Sequence, residues 1–403
     1  MDLAYYQSIK EEAPRGAHGA MATEPEYAEL HCHSSYSLLD GASQPEELIG
    51  QARALSLRAL ALTDHDGLYV APTFCRLAEA AGLQPIVGAE ITLTPPQPPP
   101  CRGGRSEWGD TPHTPPVQET GGAFSSSLHL TLLAADEEGY RNLCRLISLA
   151  RRDQPKGEAG LDPARLAEHS AGLIALSGCR QGVVAAPLLA GQRAAARAAA
   201  RWLRAVFGPD RCWIELQRHL LPGERALLRA QLALAREVGL PVVATNNVHY
   251  HVRARHRLQD VLVCIRHRTT LDASHHLRRP NAEYYLKDAA TMARLFAEVP
   301  AAVRNTLAIA ERCQARVELG AYRFPDFPLP PGQTADSYLA ARCREGALER
   351  YGHADGEVGA KLRYELGLIE RHGLAGYFLI VWDLMEFARR ERIPAQGRGS
   401  AAN

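Results

Sequence analysis

Polar side chains able to hold a metal ion follow one apolar run after another in the first 250 residues. Leu30 leads into His31 and His33, within LHCHSSYSLLDG. Residues two apart on a strand face the same side, so this pair can reach one ion together. ALALT (59–63) is followed by Asp64 and His65, and PIVGA (85–89) by Glu90. IALSG (174–178) leads to Cys179, and PVVATN (241–246) to Asn247 and His249. His129 departs from the pattern, because it starts its run (HLTLLA) instead of ending it. Each residue has a quiet explanation: an ordinary strand end for the histidine pair, a helix cap for Asp64, a core thiol for Cys179, a solvated edge for Glu90. Taken jointly they point to a multi-metal site. Mixed nitrogen, oxygen and sulfur donors suit Zn²⁺, Mn²⁺ or Fe. Several such ions would activate water and neutralise a phosphate, the layout of metal-assisted phosphoester hydrolysis. His251, His256, His267, His275 and His276 lie in an Arg-rich stretch and read as solvated or supporting positions.

Something must present these residues together. Short β-type runs at 57–63, 83–93, 129–134, 172–177, 212–216 and 241–245 alternate with helical segments near 72–81, 136–152, 192–206 and 224–238. That alternation predicts a parallel α/β architecture, barrel or open sheet, with ligands at the C-terminal ends of the strands. Residues 95–127 are rich in Pro, Gly and Ser and read as a disordered surface insertion. Residues 1–26 read as a loose leader, and the metal-binding domain is expected over 27–270.

Beyond residue 270 the texture changes. A Pro-rich connector (FPDFPLPPGQT, 324–334) precedes helical stretches at 336–352 and 357–373 and an aromatic run at 377–391. The last feature is QGRGS (396–400), where Gly397 and Gly399 would let the backbone approach an anion and Arg398 and Ser400 could donate to phosphate oxygens. A plain turn is the competing reading. The ending in apolar and glycine-loop material reads as an interrupted domain.

Composition sets the outer limits. The 403 residues are 46% hydrophobic and 23% charged, enough for two or more domains with real cores. No run approaches the ~18–20 apolar residues of a membrane span, and the N-terminus lacks signal-peptide order. Nine scattered cysteines with no CxxC pair fit a cytoplasmic protein. A net charge of +1 supplies no global field toward nucleic acid.

LHCHSSYSLLDG, ALTDHDGL, IVGAE, HLTLLA, LSGCRQG and ATNNVHY together resemble the PHP (polymerase and histidinol phosphatase) domain. PGQTADSYL, GYFLIVWDLMEFAR and QGRGSAAN resemble the bacterial C-family replicative polymerases, the alpha subunits of DNA polymerase III, and QGRGSAAN, LLPGERALLRA and ATNNVHYH resemble their error-prone branch in particular. The resemblance implies a distorted (β/α)7 barrel with up to three metal ions, followed by an incomplete polymerase palm over 271–403. It implies His31, His33, Asp40, His65, Glu90, His129, Cys179, Asn247 and His249 as the metal positions, with Asp64 orienting its neighbour. Asn247 departs from the family, whose metal-binding members carry aspartate there, so an ion would be held with one negative charge fewer. Gly397, Arg398, Gly399 and Ser400 would face the nucleotide phosphates. The palm's catalytic aspartates lie further on in the family, so no catalytic residue of the polymerase is expected within this chain. The implied function of the whole is template-directed DNA synthesis past lesions, with Mg²⁺, primer-template, dNTPs, a sliding clamp and accessory translesion proteins, and no membrane. A stand-alone PHP phosphoesterase and a non-catalytic, metal-stabilised scaffold are the alternatives.

Overall fold

The computed structural model describes residues 25–94, 128–152, 154–317 and 325–396. Most of the expected leader, the 95–127 stretch and the 397–400 glycine loop lie outside the described residues. Seven strands form one sheet in sequence order: β1 (Ala28–Glu29), β2 (Ala59–Leu62), β3 (Gln84–Leu93), β4 (Leu128–Ala134), β5 (Leu173–Leu176), β6 (Cys212–Gln217) and β7 (Val242–Thr245). The sheet curls until the residues just after β1 and β7 meet. Cys32 bridges Val248 in parallel, with His33 N donating to Val248 O at 2.8 Å and Val248 N to His31 O at 2.9 Å. The result is a nearly closed seven-stranded barrel.

The two-residue period of a strand decides what lies inside. Ala59 and Ala61 join the inner cluster with Ala28, Ile86, Leu133, Ile174, Trp213 and Val243, whereas Leu60 and Leu62 join the outer core. The outer core takes Phe74, Leu143, Leu146, Leu203, Phe207 and Leu228 from the surrounding helices. Those helices, Ala71–Ala80, Glu137–Arg152, Arg193–Phe207 and Glu224–Val238, fall within one residue of the spans expected from their apolar period.

The all-parallel expectation needs correcting at one strand. β4 runs antiparallel to both β3 and β5, while the β1–β2, β2–β3, β5–β6 and β6–β7 pairs are parallel. Parallel neighbours need a crossover connection, and antiparallel neighbours do not. The segment between β3 and β4 carries no helical period, and that absence was the available signal. Reversal explains His129: the start of β4 lies at the same end of the barrel as the finish of its neighbours, with His129 opposite Thr92.

The first compact unit extends through Val317. The helix Pro300–Arg312 is the reason, since Ile309 and Ala310, with Cys313 just beyond, pack into the inner cluster. Thr306 Oγ1 accepts from Ala28 N (3.2 Å), Ala310 O from Gln84 Nε2 (2.7 Å), and Asn305 Nδ2 donates to Val242 O (2.8 Å). These contacts lie at the N-terminal ends of parallel strands, so the helix plugs the floor of the barrel. Ile309 is fully buried. Ile309→Ala is expected to destabilise the barrel by about 2–5 kcal/mol, read from the urea midpoint; a surface-like change below about 0.5 kcal/mol would show that the floor does not depend on this helix.

Among the described residues the second unit comprises three helices, Ala335–Tyr351, Gly356–Arg371 and Ala375–Arg390; the first two lie on the helical stretches read at 336–352 and 357–373, and the third on the aromatic run at 377–391. Thr334 and Ser337 form a reciprocal capping box at the start of the first. Leu339, Ala375 and Leu379 are buried at its centre, with Trp382, Phe378 and Ile369 packed around them.

Candidate metal centre

The floor of the barrel is apolar and its opposite end is polar, along the same inward-facing rows. On β3 the row is Ile86, Gly88, Glu90; on β4, read toward that end, it is Leu133, Thr131, His129; on β6 it is Trp213, Glu215, Gln217. The apolar half excludes water, which strengthens electrostatic interactions at the polar half.

Glu90 occupies the middle. Its Oε1 lies 3.5 Å from His31 Nε2 and 3.2 Å from His129 Nδ1, and its Oε2 lies 3.4 Å from His33 Nε2 and 3.1 Å from His65 Nδ1. Asp40 Oδ2 sits 3.1 Å from His65 Nε2 and 3.2 Å from His249 Nε2. Cys179 Sγ is 3.5 Å from His129 Nδ1. The structure therefore gathers His31, His33, Asp40, His65, Glu90, His129, Cys179 and His249 at one end of the barrel. Three overlapping triads have their donor atoms within 4.8 Å of one another: His31/His33/Glu90, His65/Glu90/His129 and His33/His65/His249. His31 and His33 are fully buried and His65 is 24% exposed, so the cluster opens to solvent on the His65 side.

Hydrogen bonds decide which ring nitrogens are bare. His31 Nδ1 faces Glu215 Oε1 at 2.6 Å, and His249 Nδ1 faces the Asn247 carbonyl at 2.8 Å. Both partners are acceptors, so both Nδ1 atoms carry the proton. Ser37 Oγ donates to Asp64 Oδ1 (2.7 Å), which leaves its oxygen to accept from His33 Nδ1 (3.0 Å). In the neutral rings each Nε2 is then a bare lone pair. Two of them, on His31 and His33, face each other at 3.2 Å, and a third faces the Asp40 carboxylate. Electron pairs aimed at one another are stable only with a positive charge between them, a proton or a metal ion. Two buried acceptor atoms, Glu90 Oε1 and Asn247 Oδ1, also lack a hydrogen-bond partner. The donor set therefore fits a divalent cation.

Charge states agree for two of the rings, His33 and His249. Burial, with repulsion from His65 and His249, holds His33 well below its usual range. Burial and the Arg279 cation lower His249 to about 4. Both rings are thus neutral ligands at neutral pH. Burial disfavours a charged His31 and a charged Glu90, yet Glu215 and Glu90 hold the histidine well above its usual range and His129 and His31 hold the carboxyl well below its own, so without a metal ion a proton on His31 supplies the positive charge beside Glu90. Burial and Glu90 push the Cys179 thiol up, so a thiolate there needs a cation beside it.

Other residues lie around the cluster. Asp64 accepts from Ser34 N, Ser34 Oγ and Ser37 Oγ, each at 2.7 Å, and so stands behind His33 through Ser37; it reaches its neighbour His65 only through the backbone N–H that donates to Ser37 Oγ (3.1 Å). Asn247 adopts φ 45° and lends its backbone carbonyl to His249. His251 bonds Ser43, and His275 lies 2.8 Å from an Arg278 nitrogen; His256, His267 and His276 also stay out of the cluster. Sequence reading missed Glu215, although a glutamate inside the apolar run CWIEL was a usable signal. It also missed Arg279 and Gln259, which donate to Asp40 Oδ1 at 3.2 Å, and no local pattern marks either.

The PHP domain model covers residues 29–219, and that of the bacterial DNA polymerase III alpha NTPase domain covers residues 337–403. Residues 29–219 are thus similar to the PHP domain, and residues 337–403 to a segment of the DNA polymerase III alpha family. It is 41% identical over 94% of its length to the error-prone DNA polymerase of Symbiobacterium thermophilum, covering 33% of that protein. It is 37% identical over 94% of its length to the DNA polymerase III subunit alpha of Treponema pallidum, covering 31% of it. The chain thus spans about a third of the length of these relatives. An amidohydrolase structure from Chromobacterium violaceum covers 56% of this chain and 88% of its own, at 16% identity and TM-score 0.28.

Beside the cluster, His219 stacks on Tyr284 at a centroid distance of 3.9 Å and donates from Nε2 to Asn246 O at 2.8 Å. Burial depresses it to about 3. An unfolded histidine binds its proton near 6.5, so the unfolded chain takes up a proton that the folded one refuses. Stability is thus complete above that value and declines as pH falls from about 6.5 toward 3. Urea unfolding at pH 7 and pH 5 should show a smaller acid loss for His219→Gln than for the wild type; equal losses would contradict the assignment.

Proposed function

We propose that this chain is the PHP and early palm portion of an error-prone DNA polymerase that copies damaged templates. The observation that carries this reading is 41% identity sustained over 94% of the chain. The whole protein would join dNTPs to a primer on a template with Mg²⁺, work with a sliding clamp and accessory translesion proteins, and act in the cytoplasm. No described helix is long and apolar enough to cross a membrane. Gly397, Arg398, Gly399 and Ser400 would lie against the nucleotide phosphates. Disrupting the gene should lower the frequency of ultraviolet-induced mutation several-fold in a reversion assay, and an unchanged frequency would overturn the reading. The 403-residue chain alone, at about a third of its relatives' length, is expected to yield no product in a primer-extension assay.

For the barrel, the reading is a divalent metal centre of Zn²⁺ or Mn²⁺, with Fe also compatible with the donors. His31, His33, Asp40, His65, Glu90, His129, Cys179 and His249 would hold the metal, with the Asn247 amide oxygen as a neutral contributor. A bound divalent ion would supply an activated water and neutralise a phosphate. The residues of the chain supply the rest: Glu90 belongs to two of the three triads, the Nδ1 hydrogen bonds aim each Nε2, and the apolar floor keeps water from entering below. The opening at His65 favours a phosphoesterase as second reading, and the neutral Asn247 favours a metal-stabilised scaffold.

Removal and return of metal separates these readings. Dialysis against chelator should lower the melting temperature, and Zn²⁺ or Mn²⁺ should restore it, by about 2.7 kcal/mol of stability at 100-fold excess over Kd. Hydrolysis of a model phosphodiester that disappears in His33→Ala would establish the phosphoesterase. Restored stability without hydrolysis would establish the scaffold.

A further inference from the structure

Metal-binding members of this family were expected to hold an aspartate where this chain has Asn247, so one negative charge is missing from the cluster. A second buried carboxylate lies directly behind it. Glu215 is 1% exposed and sits in the middle of β6, one inward-facing position below Gln217. Its Oε1 accepts from His31 Nδ1 (2.6 Å), Thr245 Oγ1 (2.5 Å) and Gln217 Nε2 (2.8 Å). Its Oε2 accepts from Gly178 N (3.1 Å). Four donors converge on it from β6, β7, the β5 loop and the strand end that carries the histidine pair.

Gly178 shows how closely this is built. The residue has φ +87°, and a Cβ there would lie 2.6 Å from the His129 carbonyl oxygen. Glycine is what lets the loop run close enough for its N–H to reach Glu215.

We infer that Glu215 is a positioning residue that orients His31 toward a bound metal and, through the shared Nδ1 proton, supplies the negative charge that Asn247 does not. A carboxylate on Nδ1 fixes the tautomer and makes Nε2 a more basic ligand. Of the four donors that Glu215 accepts from, only His31 can pass that charge on to an ion, because Thr245, Gln217 and Gly178 are neutral. Thr245 and Gln217 brace the carboxylate from β7 and β6, so the His31 ring cannot rotate without breaking a buried hydrogen bond. Glu215 touches no substrate, and its effect passes through His31.

This inference rests on the metal reading of the cluster. The test uses the whole 403-residue chain, stripped by chelator, with Mn²⁺ alone titrated calorimetrically after circular dichroism has confirmed folding. E215Q keeps the shape and removes the charge, and should bind Mn²⁺ about 10–100-fold more weakly. N247D should tighten binding, and E215Q/N247D should return toward the wild-type affinity. That rescue is the readout a merely structural role would not produce. Folded E215Q with wild-type affinity, or a double variant no tighter than E215Q, would overturn the inference. If E215Q does not fold, T245V removes one brace from Glu215 and should weaken Mn²⁺ binding several-fold, with unchanged affinity overturning the inference. Wild-type protein that takes up no Mn²⁺ overturns the metal reading itself, and this inference with it.

Discussion

Inside the barrel, four histidines surround Glu90, and lone pairs of His31, His33 and His249 are aimed at one another or at a carboxylate. Such an arrangement is repulsive until a positive charge lies within it, and the rest of the structure serves to hold it in place. Burial removes water that would otherwise screen and hydrate those groups. Hydrogen bonds from Nδ1 to Glu215, Ser37 and the Asn247 carbonyl stop the rings from turning away. Relaxation by rotation would leave buried polar atoms unpaired, at roughly 1–3 kcal/mol each.

The barrel satisfies that constraint through two nonlocal choices. Small residues inside β2, Ala59 and Ala61, leave room for Ile86, Leu133, Trp213 and Val243 to fill the floor together with Ile309. Reversal of β4 then delivers His129 to the ligand end, although it is the second residue of its strand. A parallel β4 would have put that imidazole near the floor, about 20 Å or less from its partners at ~3.3 Å per residue and out of ligand reach.

Charge is distributed in shells. Glu90 and Asp40 face the rings directly, and Arg279 and Gln259 restrain Asp40 from the far side. Glu215 and Asp64 act from behind, through His31 and Ser37 respectively. A carboxamide at 247 among so many carboxylates changes how charge is shared and leaves the donor geometry in place. That pattern suits a metal centre in the barrel, where stabilising the fold and activating a water are different demands on the same cluster.

Local sequence determined a great deal here. Apolar runs with period two and helical stretches with period 3.6 located six of the seven strands and the main helices, because burial of one face is a local pattern. Polar residues at run ends named His31, His33, His65, Glu90, Cys179 and His249, since a chain leaving a strand exposes them at one end. Asp40 and the ligand role of His129 came from family resemblance alone. Only the tertiary structure decided the direction of β4, the inclusion of Pro300–Arg312 as the floor, and the roles of Glu215, Ser37, Arg279 and Gln259. Each of those depends on contacts between residues far apart in the chain, as between His31 and Glu215, and no window of sequence carries a distance between two of its own distant parts.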